Sequence, residues 1–293
     1  MSDAQNIYFI PEPSRWPIVG TIALFISFFG AGIMLNGSHF GTLILGIGIA
    51  TIIYMFSGWF SEVIAESLAG KYNKQVDVSF RWGMSWFIFS EVMFFAAFFG
   101  ALFYAREFSV PWLAGEGSKL VTHKLLWPEF MGSWPMHVIP DVEKYASSLY
   151  EHVIPAWGVP AVNTAILLSS GVTVTFAHWA LKKDNRAALC WWLLATVVLG
   201  FLFVSLQAGE YIHAYHELNL TLGSGIYGST FFMLTGFHGF HVTMGATMLL
   251  VILFRSIMGH FKPHDHFAFE GVAWYWHFVD VVWLGLFIFV YWL

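Results

Sequence analysis

The chain has 293 residues, of which 58% are hydrophobic, 19% aromatic and only 11% charged, against about 25% charged in an ordinary soluble domain. That deficit excludes a soluble domain and marks a polytopic membrane protein. The net charge of −5 with no basic block excludes a nucleic-acid surface, and a single cysteine, Cys190, excludes an internal disulfide, a CxxCH haem attachment and a paired-cysteine metal centre.

Residues 1–15 form a polar segment that runs into PEPSRWP at its junction with the first apolar run. No basic stretch with a short apolar core precedes a cleavage site, so no signal peptide is expected and the first apolar run stays in the mature chain. A spanning helix needs about 20 mostly apolar residues. That rule gives seven, at 16–36, 41–61, 82–105, 160–181, 187–209, 226–254 and 268–292. The fold class is therefore an all-α membrane protein. Spans one and two are joined by the short GSHFG turn and form an antiparallel hairpin over 16–61, followed by a polar link, 62–80. Residues 81–293 hold the other five spans. Within them 106–159, rich in Trp, Pro and His, is too apolar for a plain linker and is expected to fold as a cap on the membrane surface.

Orientation follows from the bias of Lys and Arg toward cytoplasmic loops. With the N-terminus inside, the inner segments hold nine of the thirteen basic residues, among them Lys182, Lys183 and Arg186 of the short LKKDNR loop. This puts the C-terminus and the cap outside; the expected membrane is a bacterial inner membrane, with the cap in the periplasm, and the mitochondrial intermembrane space is the alternative.

Ionisable residues at membrane depth are expensive, and each is a functional candidate. Glu91 lies ten residues beyond Arg81, roughly 15 Å into its span at the helical rise. A carboxyl at that depth needs a partner or a proton; it is either a proton-exchanging group or a structural one bonded to a neighbouring helix. In span six, His238 and His241 of TGFHGFHVTMGA are three apart, so both can point roughly the same way. Metal ligation, proton relay and an interhelical hydrogen-bonding seam all suit that spacing. Metal would need further ligands at the same depth, and only Glu91, His277 and Asp280 offer themselves. His277 and Asp280 of WHFVD are themselves three apart and suited to an Asp–His hydrogen bond. The QAGEYIHAYHE stretch brings Gln207, Glu210, His213 and Glu217 to the outer end of span five, where a wet helix end is expected. Arg81 and Arg255 sit where spans meet the inner surface, as interfacial anchors or as holders of lipid head groups.

Five segments in order, RWGMSWFIFSEVMFFAAFFGALFY, AVNTAILLSSGVTVTFAHWAL, QAGEY, GIYGSTFFMLTGFHGFHVTMGATMLL and FEGVAWYWHFVDVVWLGLFIFVYW, together resemble cytochrome c oxidase subunit III. The likeness runs from about residue 8 to the C-terminus. It implies a two-helix and a five-helix bundle in a V-shaped arrangement with phospholipids in the cleft. It implies no catalytic residue, no metal and no cofactor in this chain, with haem and copper confined to partner subunits. It also implies packing on subunit I, a place beside subunit II and support of subunit I's proton uptake and catalytic lifetime. A cytochrome c or a respiratory supercomplex is a further expected partner.

Carried over by position, Glu91 matches the family's buried carbodiimide-reactive glutamate. His238 and His241 match its paired histidines, one of them a partner for Glu91. Arg81 and Arg255 match its lipid head-group arginines, and Trp59 and Glu66 fall in its lipid region. Two features depart from the family: Ala65 stands where many members have a basic residue, and the loop at about 112–155 is long. The resemblance turns the reading of His238 and His241 toward a hydrogen-bonding seam, with proton relay as the alternative. An independent transporter using Glu91 and the histidines is the competing function, but neither internal repeats nor broken helices accompany it in the sequence. A retinal photoreceptor is excluded, because 268–292 contains no lysine.

Overall fold

In lipid only a structure that satisfies every backbone group internally survives, and a single segment does so only as a helix. The computed structural model of the chain describes residues 9–141, 150 and 152–293, and it contains helices and no strand among the described residues. Seven described helices are long and apolar enough to cross a membrane. They are α1 (Trp16–Leu35), α2 (His39–Leu68), α3 (Lys74–Tyr104), α4 (Val159–Lys182), α5 (Arg186–His216), α6 (Gly225–Ile257) and α7 (Phe267–Leu286). A π-helical turn, Ala105–Ser109, extends α3, and another, Phe287–Trp292, extends α7. Most of these helices outrun the apolar stretches that predict them. The expected polar link is largely helix, since α2 continues through Leu68 and α3 resumes at Lys74. Glu62, Glu66 and Asp77 ride on these helix ends, which a hydropathy criterion trims away.

The chain divides into two compact units, Met1–Trp82 and Gly83–Leu293, with the boundary inside α3. In the first unit α1 and α2 pack backbone to backbone. A Cβ on Gly30 would lie 2.4 Å from the Leu45 nitrogen, and one on Gly41 would lie 2.1 Å from the Met34 nitrogen. Small residues that admit such approach are the usual means of holding helices together where lipid removes the hydrophobic drive. The turn between the helices passes through Gly37 at φ +84°, a conformation glycine adopts without Cβ strain. Near the other end of the hairpin the Trp16 indole packs on Gly58 and donates its N–H to Glu62.

In the second unit α4 to α7 surround a core centred on Trp276 and Trp283, both fully buried. The Trp276 ring fills space left by Gly200 of α5 and Gly245 of α6, where an added Cβ would lie 2.8 Å from it on either side. Buried indole N–H groups need acceptors. Trp276 donates to the Ser170 hydroxyl and Trp283 to Thr164, both at 2.9 Å. These two bonds fix an antiparallel register between α4 and α7.

The expected cap is partly helical. After the π turn come Val110–Leu113 and Leu120–Leu126, and Val110, Phe130, Met136 and Ile139 close a small separate core. The Tyr150 hydroxyl donates to the Met136 carbonyl at 2.6 Å. Burial pushes this phenol above its usual range. Residues 142–149 and 151 of the cap, and 1–8 of the N-terminal polar segment, lie outside the described residues.

Candidate functional site at membrane depth

Glu91 on α3 meets His241 on α6, with Oε2 2.9 Å from Nε2. The other ring nitrogen, Nδ1, lies 2.6 Å from the Phe237 carbonyl. A carbonyl only accepts, so Nδ1 carries a hydrogen. One proton then remains for the Nε2–Oε2 contact. If it sits on the carboxyl the pair is two neutral groups; if it sits on the imidazole the pair is an ion pair. The sum is neutral in both cases, which is what permits burial. Phe95 stacks edgewise on the imidazole at 5.0 Å, and Phe94, Phe240 and Tyr275 surround it. The side chains are 22% and 10% exposed, Glu91 being the more open.

His238 does not share this partner. It is 1% exposed, and its Nε2 lies 3.2 Å from the Val279 carbonyl on α7. By the same argument Nε2 is the donor, and Nδ1 finds no hydrogen-bond partner among the described residues. Phe203 of α5 and Trp283 of α7 pack on its ring. Of the two histidines, His241 is thus the one that bonds Glu91. Three residues at 3.6 per turn leave their directions roughly 60° apart, which in a tight bundle is enough to select different neighbours: α7 for His238, α3 for His241.

His277 Nδ1 and Asp280 Oδ2 lie 3.5 Å apart on α7, a long contact for a hydrogen bond, with His277 also 3.5 Å from the Thr175 hydroxyl. Asp280 is buried against Gly171, whose missing Cβ leaves room for its carboxylate, and its Oδ1 has no hydrogen-bond partner among the described residues. The wet helix end expected around Gln207 and Glu210 is corrected. These residues are only 4% and 5% exposed. Glu210 Oε1 accepts from the Tyr291 hydroxyl at 2.7 Å and from Gln207 at 2.9 Å, while Asn163 of α4 reaches Gln207 at 3.4 Å. Tyr291 lies on the π turn that ends α7, so the network ties α4, α5 and the C-terminal turn together. Further along α5, His213 and Glu217 form the exposed pair that a wet end implies, at 3.0 Å.

The arginines differ from each other. Arg81 Nε contacts Asp77 at 2.8 Å, one helical turn away, and is partly exposed. Arg255, expected at an interface, is only 7% exposed. Its guanidinium lies over the Phe261 ring at 4.6 Å, and its Nε has no hydrogen-bond partner among the described residues. In the first unit Glu66 accepts from the Tyr72 hydroxyl at 2.8 Å, with Lys71 3.9 Å away, and Trp59 is half exposed beside Phe60. Burial first, and then the Glu66 carboxylate, push the Tyr72 phenol above its ordinary value.

One cluster has no counterpart among the sequence expectations. His178 near the end of α4 meets His266 and Glu270 at the start of α7. Two of its three residues are visible in the sequence as the HFAFE run, which sets His266 and Glu270 four residues apart; His178 lies 88 residues before His266.

The family described as "Cytochrome c oxidase subunit III" matches residues 6–115 and 135–293. Curated relatives align end to end. "Cytochrome c oxidase subunit 3" of Papio hamadryas is 38% identical over 293 residues, covering 100% of this chain and 99% of its own length. That of Squalus acanthias is 38% identical over 294 residues, with the same coverage. That of Marchantia polymorpha is 39% identical over 291 residues, 98% of this chain and 97% of its own.

Proposed function

Because the chain belongs to the cytochrome c oxidase subunit III family, we propose that it is a non-catalytic, lipid-binding accessory subunit of a proton-pumping cytochrome c oxidase in aerobic electron transport. It is an integral membrane protein of the oxidase complex. In this reading it packs against subunit I, in the same complex as subunit II, and preserves subunit I's proton uptake and catalytic lifetime. Haem and copper belong to the partners, and this chain holds no redox centre. The basic-residue bias places its N-terminus on the cytoplasmic side, or on the matrix side in a mitochondrion.

The observation that carries the reading is the Glu91–His241 bond. The mid-span carboxyl is spent on joining α3 to α6, and Glu210 is likewise spent on joining α5 to the end of α7. These are the uses of polar groups in a scaffold, where interhelical hydrogen bonds act as glue. A transporter would instead converge them on a substrate site between broken helices.

Lipid binding rests most on Arg255. Its guanidinium lies over the Phe261 ring, and a head-group phosphate would supply the charge-assisted hydrogen bonds that the ring face does not. In the first unit, taken by itself, Arg81 already contacts Asp77 and contributes charge more than a directed bond, and Trp59 and Glu66 are that unit's lipid contacts in this reading. The test is lipid mass spectrometry of the purified oxidase carrying Arg81→Gln and Arg255→Gln. Loss of tightly bound phospholipid, with faster inactivation during turnover, is expected. Unchanged lipid content would refute the head-group assignment.

A further inference from the structure

We infer that His178, His266 and Glu270 form a binding site for one divalent transition-metal ion of the zinc type, clasping the end of α4 to the start of α7. The antiparallel register set by Trp276 on Ser170 and Trp283 on Thr164 runs on to this end of the pair. There it brings His178 opposite the first turn of α7. The three candidate ligand atoms are His178 Nε2, His266 Nε2 and Glu270 Oε1. They make a triangle with every edge 3.3 Å. Two zinc–ligand bonds of about 2.05 Å closing a 3.3 Å edge subtend roughly 107°, close to the tetrahedral angle that zinc takes. One ion just above the plane of the triangle would therefore reach all three atoms without any rearrangement, leaving a fourth position for water.

The protonation pattern points the same way. His266 Nδ1 lies 3.0 Å from the Lys262 carbonyl, and because a carbonyl only accepts, Nδ1 carries the hydrogen. Nε2, 3.3 Å from Glu270 Oε1, is then the nitrogen left to ligate a metal. A histidine whose remote N–H is held by a backbone carbonyl is the usual outer-shell arrangement of a metal ligand. The Lys262 carbonyl is itself fixed by paired backbone bonds between Lys262 and Asp265. His266 precedes the first residue of α7, and its own carbonyl accepts from Phe269 and Glu270, so ring and carboxylate are set by one turn of backbone. Two imidazoles and a carboxylate are a donor set suited to zinc. The side chains are 22%, 9% and 12% exposed, in the order His178, His266, Glu270. The site is thus shielded but open on the His178 side. The clasp is a structural role additional to the accessory function above and does not depend on it.

The test uses the full chain purified in detergent, stripped with a chelator, given Zn2+ in slight excess and dialysed. We expect one zinc per chain by elemental mass spectrometry, and X-ray absorption showing nitrogen and oxygen neighbours at about 2.0–2.1 Å, including two imidazoles. His178→Gln and Glu270→Gln should each lose that zinc and the rise in unfolding temperature that Zn2+ gives the parent chain. A parent chain that keeps no zinc, or an absorption spectrum without two imidazoles, overturns the site whatever the variants do. So does zinc retained undiminished by both variants.

Discussion

Replacing Glu91 and His241 by Leu, singly and together, isolates the interaction on which the scaffold reading depends. Glu91→Leu leaves His241 Nε2 facing an apolar side chain, and His241→Leu leaves the carboxyl without its 2.9 Å partner. An unsatisfied buried polar group costs about 1–3 kcal/mol. Measured interhelical couplings in a membrane bundle are smaller, averaging about 0.6 and reaching about 1.7 kcal/mol, because the unfolded chain in detergent or lipid also finds partners. With both side chains mostly shielded, the coupling should fall in the upper part of that range, at about 1–1.5 kcal/mol. The double variant should accordingly lose less stability than the two single losses added together. The assay is reversible unfolding of the detergent-solubilised chain by titration with a denaturing detergent, applied to all four chains. A parallel cycle with His238→Leu should show weaker coupling to Glu91, since His238 bonds the Val279 carbonyl. Additivity of the Glu91 and His241 losses within about 0.3–0.5 kcal/mol, or stronger coupling to His238, would refute the assignment.

Other expected outcomes concern packing and the polar ends. Gly41→Ala should destabilise the α1–α2 hairpin by about 1–3 kcal/mol, because its Cβ would lie 2.1 Å from a backbone nitrogen. Gly100→Ala, where nothing lies within 4 Å, should be neutral or stabilising by up to about 1 kcal/mol; equal losses in an unfolding titration would contradict the close-approach argument. Tyr291→Phe removes one of the two donors to Glu210 and should cost about 1–2 kcal/mol in the same titration, whereas a wet, exposed Glu210 would give no loss. The Tyr72 phenol holds its proton more tightly in the folded chain than its ordinary value. Its contribution is therefore intact below about pH 10 and drains away as pH rises toward the folded value. Tyr72→Phe should flatten the alkaline decline in stability, and an unchanged decline would refute this.

The membrane class and all seven spans are legible in the sequence because apolar length is a direct consequence of bilayer thickness. Helix ends are less so. Glu62 and Glu66 on α2, Asp77 on α3 and His213 and His216 on α5 are helical, yet a hydropathy reading stops before them. Glu91 stood out because a lone carboxyl in a mid-span apolar run is costly, and the choice of His241 over His238 depended on a rotation of roughly 60° that only the packed bundle resolves. Glu210 looked solvated because its neighbours in sequence are polar, while Tyr291, which buries it, is 81 residues away. His178 is illegible for the same reason. A single histidine late in an apolar span carries no signal until the α4–α7 register sets it against His266 and Glu270.

The most direct test of the account compares the oxidase purified with and without this chain, following oxygen consumption over successive turnovers. The account predicts that removal leaves the initial rate of oxygen reduction largely intact but hastens inactivation, and that adding the chain back with phospholipid restores the lifetime. An oxidase that reduces no oxygen from its first turnover without this chain, or that inactivates at the same rate with and without it, would contradict the accessory role.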